Sequence, residues 1–262
     1  MDENDNSPRL ARNHWELEVN ETWGQGPPSN ITLLEMTAAD PDAKNYFSYR
    51  IVEDSGWGWD HFAIRSSGAS GQLYATKTLD YEDDTHRQGF KFMVQVTDRG
   101  EKGWLDPRHL DTAWVGVQLR DLNDNPPQFS SPNAHLTVRE DTEPGTFLIS
   151  MAAHDPDMGG KGRVAFQILG GWNSLTIDRK GGITLSRRLD REAPEGGMGL
   201  AHVLGIDQGE PPLTATTTLT ITVTDVNDCP PRLKPPEVLH VTEGEPPVFL
   251  GVLTATDDDS IY

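Results

Sequence analysis

Cysteine is nearly missing from this chain: Cys229 is the only one in 262 residues, so no disulfide closes within it. Basic side chains are scarce too, 22 against 41 acidic ones, and the formal net charge is −19. A polyanion of this strength repels phosphate backbones and anionic lipid, which excludes a nucleic-acid binder and a polybasic membrane-surface protein. No apolar run approaches the roughly 18 residues of a membrane-spanning helix. Met1-Asp2-Glu3-Asn4 is too acidic and polar to open a secretory signal. Any signal or anchor is therefore expected outside this stretch. Catalytic signatures are missing as well: there is no His-Glu-x-x-His, no Gly-x-Ser-x-Gly and no phosphate loop, and the 8 histidines are scattered. What is present is 35% apolar residues with 7 Trp, 8 Phe and 25 Gly, too aromatic for a disordered chain, over a length that suits two domains or two and a remnant.

The acids are not spread evenly. Asp2-Glu-Asn-Asp-Asn6-Ser-Pro returns as Asp121-Leu-Asn-Asp-Asn125-Pro-Pro and as Asp225-Val-Asn-Asp-Cys229-Pro-Pro. Asp40-Pro-Asp42, Asp155-Pro-Asp157 and Asp257-Asp-Asp259 form a second series, and Leu79-Asp-Tyr-Glu82 with Leu189-Asp-Arg-Glu192 a third. Thr97-Asp98-Arg-Gly pairs with Ile206-Asp207-Gln-Gly, while Glu21, Glu140 and Glu243 each follow a Val-containing run. Five signatures in fixed order, recurring at roughly a hundred residues, identify an internal repeat.

Between the signatures apolar residues alternate with period two, the pattern of strands buried on one face. Leu219-Thr-Ile221-Thr-Val223, Phe90-Lys-Phe92-Met-Val94-Gln-Val96, Val115-Gly-Val117-Gln-Leu119, Val164-Ala-Phe166-Gln-Ile168 and Leu136-Thr-Val138 all read this way. Gly and Pro clusters such as Gln25-Gly-Pro-Pro28 and Gly209-Glu-Pro-Pro212 punctuate them, and no helical apolar stripe competes. The expectation is an all-β chain of tandem antiparallel β-sandwiches of about seven strands each.

The order Val-x-Glu, Asp-Pro-Asp, Leu-Asp-Arg-Glu, Asp-x-Gly, Asp-x-Asn-Asp-Asn-Pro-Pro resembles the extracellular repeat of the cadherins, over nearly the whole chain. Leu79-Asp-Tyr-Glu-Asp83 and the run from Arg87 to Gly100 are similar to invertebrate neural-type cadherins. The resemblance implies Greek-key sandwiches joined by calcium-binding linkers: a linker remnant at 1–8, complete repeats at 9–127 and 128–231, and the start of a third at 232–262. It also implies Ca²⁺ ligands. One junction takes Glu21, Asp80 and Glu82, the linker run Asp121, Leu122, Asn123, Asp124 and Asn125, and Asp155, Asp157 and Asp207, with Asn125 acting through its backbone carbonyl. A second takes Glu140, Asp190, Glu192, Asp225, Asn227, Asp228, Cys229, Asp257 and Asp259, where the cysteine replaces the family's Asn and its side chain is expected to matter little. At the amino end Asp2, Asn4, Asp5, Asn6, Asp40, Asp42 and Asp98 remain. The function implied is calcium-dependent adhesion between cells, in the extracellular part of a plasma-membrane protein anchored outside this stretch, with other cadherin-like ectodomains as partners.

The residue chemistry agrees with that implication on its own terms. Asp-x-Asp spacing without His or paired thiolates supplies hard oxygen ligands, which suit Ca²⁺ and disfavour zinc. The junction acids account for nearly all the excess of 41 acidic over 22 basic side chains. Taken singly, each Asn-Asp-Asn run is an ordinary turn; with partner acids in register it reads as a ligand set. An EF-hand is excluded, because its twelfth position falls on Phe166 counting from Asp155 and on Ile51 counting from Asp40. A carboxylate hydrolase built on Asp80 and Glu82 or Asp190 and Glu192 is the alternative outside the family, disfavoured because an enzyme seldom repeats its dyad at every domain junction. A passive extracellular spacer, or a receptor segment for a different partner, is the alternative within it.

Four smaller readings follow. Gly56-Trp57-Gly-Trp59 is expected to fold back over a sandwich end rather than form an exposed contact. Trp15 follows the linker remnant, which by the resemblance implies a repeat upstream, so it is not expected to be a chain-tip tryptophan exchanged between partners. Gly199 and Ala201, where large core residues would alternate, predict a looser strand before Asp207. Asn20-Glu-Thr22 and Asn30-Ile-Thr32 are glycosylation sequons, with Asn30 the favoured acceptor because a glycan on Asn20 would crowd Glu21.

Overall fold

A computed structural model describes the chain except for residues 1–2, 23–30, 43–45, 160, 195, 235–241, 245, 248, 250 and 260–262. Asp2, the sequon at Asn30 and the Gly-Pro cluster at 25–28 lie outside the described residues. Two compact units emerge, Met1–Asn125 with Pro156–Gly159, and Pro126–Asp155 with Gly160–Tyr262. No described helix is long and apolar enough to cross a membrane.

The first unit contains β1 (Arg9–Leu10), β2 (His14–Asn20), β3 (Leu34–Ala39), β4 (Ser48–Ile51), β5 (Phe62–Ser67), β6 (Ser70–Ala75), β7 (Phe90–Thr97) and β8 (Leu110–Arg120). They form two four-stranded sheets, β1-β3-β6-β5 and β2-β8-β7-β4. The alternation in the sequence becomes the inside and outside of this sandwich. Phe90, Phe92, Val94 and Val96 of β7 are buried, as are Val115, Val117 and Leu119 of β8, and Trp15 joins the same core. Each such side chain contributes roughly 1.5–3 kcal/mol by leaving water. Among the described residues, all strand pairings in the unit are antiparallel except that of β2 with β8, which run parallel with Trp15 opposite Val115. Alternation specifies which face is wet and leaves strand direction open. The Trp57–Trp59 loop divides the expectation made for it: Trp59 packs against the core, whereas Trp57 stays 49% exposed, held by Lys91 N–H donating to its carbonyl at 3.0 Å.

In the second unit lie β9 (Gln128–Phe129), β10 (Asn133–Arg139), β11 (Phe147–Ser150), β12 (Ala153–His154), β13 (Ala165–Gly171), β14 (Leu175–Ile177), β15 (Gly182–Leu185), β16 (Met198–Ile206), β17 (Thr214–Thr224), and the short pair β18 (Arg232–Leu233) and β19 (Ala255–Thr256). The sheet β10-β17-β16-β13 faces β11-β15-β14 across a core that includes Ile183, Leu185, Ala201, Val203, Leu219 and Ile221. Again the first long strand pairs in parallel with the last, Leu136 opposite Ile221. The architecture is a Greek-key sandwich, twice over.

The strand before Asp207 is not loosened by its small residues. Gly170 and Gly171, both at positive φ, bulge the end of β13 and return the chain so that Trp172 N–H donates to the carbonyl of Leu200 at 2.8 Å. The indole then lies over Gly199, where a Cβ would sit 2.3 Å from the ring, and Ala201 is completely buried. The missing side-chain volume on β16 is supplied by Trp172. Gly199→Ala is therefore expected to destabilise the second unit, since overpacking costs about 1–3 kcal/mol against about 0.4–1 kcal/mol that a Gly-to-Ala change returns through the unfolded chain. Thermal unfolding of the variant checks this, and an unaltered midpoint would mean the indole swings away freely.

Candidate metal centres

Two glutamates just past the first long strand of each unit do the same local work. Glu21, 4% exposed beyond β2, accepts the N–H of Tyr81 at 2.7 Å on one oxygen and that of Leu122 at 2.6 Å on the other. Glu140, 5% exposed beyond β10, accepts the N–H groups of Arg191, at 2.9 Å, and Val226. Each thus ties the Leu-Asp-x-Glu loop and the Asp-x-Asn-Asp run to one strand end. Their own N–H groups donate to the carbonyls of Arg120 and Thr224, both at 3.2 Å. The sequence repeat is a hydrogen-bond repeat.

Asp-x-Asp spacing has an equally local cause. The first carboxylate accepts the N–H two residues on, as an Asx turn does: Asp40 from Asp42 at 2.9 Å, Asp80 from Glu82 at 3.0 Å, Asp257 from Asp259 at 3.1 Å. The second carboxylate is then held by the linker. Asn6 donates its backbone N–H and side-chain amide to Asp42 at 3.0 and 2.6 Å, and Asn125 does so to Asp157 at 3.4 and 3.0 Å, its amide also reaching Asp124 at 2.6 Å. The Asn6 amide is the largest reason the Asp42 carboxyl lies below its ordinary value. The Asn125 amide clamp is additional to the carbonyl role expected of that residue. Nor is Cys229 neutral. Its N–H still donates to Asp259 at 3.0 Å, but no amide is available, and the thiol sits instead beside Glu192, Asp228 and Asp259 with ligand atoms all within 4.8 Å. Burial, and after it the Asp259 carboxylate, pushes that thiol up to about 11.

These braces gather the acids into groups. In the first unit Glu21, Asp80 and Glu82 form one triad and Glu82, Asp121 and Asp157 another, each with oxygens within 4.8 Å of one another. Glu82 belongs to both, and one of its oxygens is buried with no hydrogen-bond partner. Its carboxyl is pushed up to about 8, first by burial and then by Glu21, Asp124 and Asp157. Asp124 is raised to about 6 by burial and by Glu21, Asp157, Asp80 and Asp121. Glu21 is raised chiefly by burial. Asn123 is buried in the same run.

The second unit repeats the plan with differences. Glu192 takes the place of Glu82, shared between Glu140, Glu192, Asp225 and the Cys229 group. Its carboxyl is raised, mainly by burial, as is that of Asp228. Arg191 lies among these acids, 3.4 Å from Glu192 and 3.8 Å from Asp225, where the first unit has Tyr81. The Leu-Asp-Arg-Glu signature therefore places a cation among the acids of the second unit that Leu-Asp-Tyr-Glu does not place in the first. Asn227 is exposed, unlike Asn123, and neither Asp190 nor Asp257 enters a group among the described residues. Asp155 and Asp207 belong to this unit and are 5% and 3% exposed. At the amino end Asp40, Asp42 and Asp98 converge within 4.8 Å, with one oxygen each of Asp40 and Asp98 buried and unpartnered. Burial holds the Asp40 carboxyl up. Asn4 contributes its carbonyl to Arg99, and Asp5 accepts the Asn6 amide.

Buried oxygens that lack donors, in clusters of like charge that include the raised carboxyls of Glu21, Glu82 and Asp40, fit a hard divalent cation taken up through oxygen. Such oxygens remain in the first unit at Glu82, Asp40 and Asp98.

Comparison with known proteins bears on the same residues. Residues 134–224 match the family model described as "Cadherin domain". The chain is 39% identical over 262 residues to Neural-cadherin of Drosophila melanogaster, covering 98% of itself and 8% of that protein. It is 39% identical over 236 residues to Putative neural-cadherin 2 of the same organism, covering 88% of itself and 13% of that protein. It therefore spans a small part of the length of these relatives. The crystal structure of mouse Cadherin-23 EC22-24 superposes with a TM-score of 0.76 at 26% identity, covering 98% of this chain and 79% of that one. Cadherin repeats are adhesion ectodomains and not enzymes. With its repeated acidic signatures, twin sandwiches and these matches, the chain belongs to the cadherin superfamily as a stretch of tandem cadherin repeats.

Proposed function

We propose that this stretch is a calcium-stiffened part of the extracellular region of a membrane-anchored adhesion protein, with complete repeats at 9–127 and 128–231 flanked by a linker remnant and the start of a third repeat. The observation that carries this reading is Glu82: a carboxylate shared by two acidic triads, with a buried oxygen lacking any donor and a carboxyl pushed up to about 8. A cation would offset that shift, because its charge opposes the repulsion from Glu21, Asp124 and Asp157 and favours the ionised carboxylate. Glu21, Asp80, Glu82, Asp121, Asn123, Asp124 and Asp157 would hold it at the first linker, together with Asp155, Asp207 and the Asn125 carbonyl. Glu140, Asp190, Glu192, Asp225, Asn227, Asp228, Asp257 and Asp259 would hold it at the second. Bound calcium supplies positive charge alone; the side chains do the rest, converting mutually repelling acids into a cross-linked linker. The partners are other ectodomains of the same superfamily, including further copies of the parent protein.

Calorimetric titration of the metal-stripped chain with Ca²⁺ tests the reading. Several ions are expected to bind at about 10⁻⁵ to 10⁻³ M, and Asp124→Ala is expected to lose part of that stoichiometry. No binding heat in either protein would reduce the acids to a solvated surface. Sedimentation in calcium at micromolar protein reports on partners: self-association supports adhesion between copies, and a monomer supports a spacer.

A further inference from the structure

The two units hold equivalent aspartates by different means. In the second, Asp207 has both oxygens engaged by its own loop, accepting Gly209 N–H and Leu213 N–H, each at 2.9 Å. In the first, the loop after Asp98 is longer and winds into two short 3₁₀ turns, Gly100–Leu105 and Pro107–His109. Asp106 caps the second turn, accepting Arg108 N–H at 3.2 Å, and Pro107 opens it. The turn ends by delivering His109 to Asp98, with Nδ1 3.2 Å from one carboxylate oxygen. The two side chains are only 4% and 2% exposed. An ionised carboxylate only accepts, so Nδ1 is the donor. The other Asp98 oxygen is buried, has no hydrogen-bond partner, and converges with Asp40 and Asp42.

We propose that His109 is a positioning residue: it holds one oxygen of Asp98 so that the other is presented to the cation of the Asp40, Asp42 and Asp98 cluster. Outer hydrogen bonds of this kind fix ligand orientation, and their loss typically lowers metal affinity by 10- to 100-fold. Where backbone N–H groups hold Asp207, an imidazole carried on a lengthened loop holds Asp98. The inference rests on the calcium reading above.

A residue-resolved NMR titration of the full chain with Ca²⁺ separates the two. The amides of Asn6 and Asp42 report the amino-terminal cluster, and those of Tyr81 and Leu122 report the other acids of the first unit. His109→Ala is expected to raise the calcium midpoint at Asn6 and Asp42 by 10- to 100-fold while leaving that at Tyr81 and Leu122 in place. His109→Asn, whose amide can donate from the position of Nδ1, is expected to restore it; His109→Gln is not. Should the alanine variant fail to fold, the Asn and Gln variants carry the test between them. Equal midpoints at Asn6 and Asp42 in all folded variants would overturn the positioning role with the calcium reading intact. So would a wild-type response confined to Tyr81 and Leu122. No response at either set of amides would overturn both.

Discussion

Replacing Glu21 with alanine is expected to lower the thermal midpoint of the first unit even in the complete absence of calcium, and to weaken calcium binding more than tenfold. The first effect follows from hydrogen bonding. Glu21 is 4% exposed and its two oxygens accept Tyr81 N–H and Leu122 N–H. Truncation leaves both donors without an acceptor, at about 1–3 kcal/mol each. Relief of repulsion on Glu82, for which Glu21 is the first charged cause, offsets part of this. The two lost acceptors outweigh it, because burial raises Glu82 more than any neighbour does. The second effect follows from geometry: without Glu21 the Asp80–Glu82 loop and the Asp121 run are no longer tied to one strand end, so the triads that share Glu82 lose their spacing. Scanning calorimetry in chelator, followed by calcium titration, measures both. Glu140→Ala is expected to do the same to the second unit through Arg191 and Val226. An unchanged midpoint in chelator would show that water replaces the carboxylate at the two N–H groups, leaving the brace with no structural role.

The parallel between Glu21 and Glu140 also shows what the sequence could and could not carry. Strand positions were legible because period-two alternation is a one-dimensional signal: Phe90 to Val96 and Leu219 to Val223 are buried on alternate residues as written. The acids were legible because they recur. Properties that depend on a second segment were not. Nothing local to Gly199 says that Trp172 will cover it, since that requires the bulge at Gly170 and Gly171. The parallel pairing of β2 with β8 is a fact about two distant strands. Asn125 is expected from the sequence to act through its carbonyl, yet an Asn beside an Asp-x-Asp turn also has two side-chain donors to place, as Asn6 and Asn125 both do. At the equivalent position Cys229 offers only a weak S–H donor in place of an amide, which is a difference in hydrogen bonding that residue size conceals. Arg191 was written inside the Leu-Asp-Arg-Glu signature; counting charges within the motif, instead of matching its ends, would have found it.

The same crowding predicts opposite pH dependence with and without calcium. Glu82 is held up to about 8 from an ordinary 4.5, and Asp124 to about 6 from 3.8. A raised carboxyl binds its proton more tightly folded than unfolded, so its stabilising contribution is complete below the ordinary value and is lost as pH climbs through the folded one. In chelator, the first unit is therefore expected to melt at a lower temperature at pH 8.5 than at pH 5, with the decline spread across the interval set by these two groups. Carboxyls held below their ordinary values, such as Asp42, Asp60 and Asp106, act the other way, but only on the acid side of the ordinary carboxylate range, and they leave this window alone. Calcium requires the ionised form, so its affinity rises over the range in which the metal-free protein weakens. The gain in melting temperature on adding calcium is accordingly expected to be small at pH 5 and largest at pH 8.5. With its carboxyl held up to about 8, metal-free Glu82 is expected to carry a proton at pH 7 that binding releases, read as a dependence of the binding heat on the ionisation enthalpy of the buffer. A calcium-induced stabilisation that stayed constant from pH 5 to 8.5, with no proton released, would show that Glu82 lies outside the ion's reach and that the two triads do not share a cation through it.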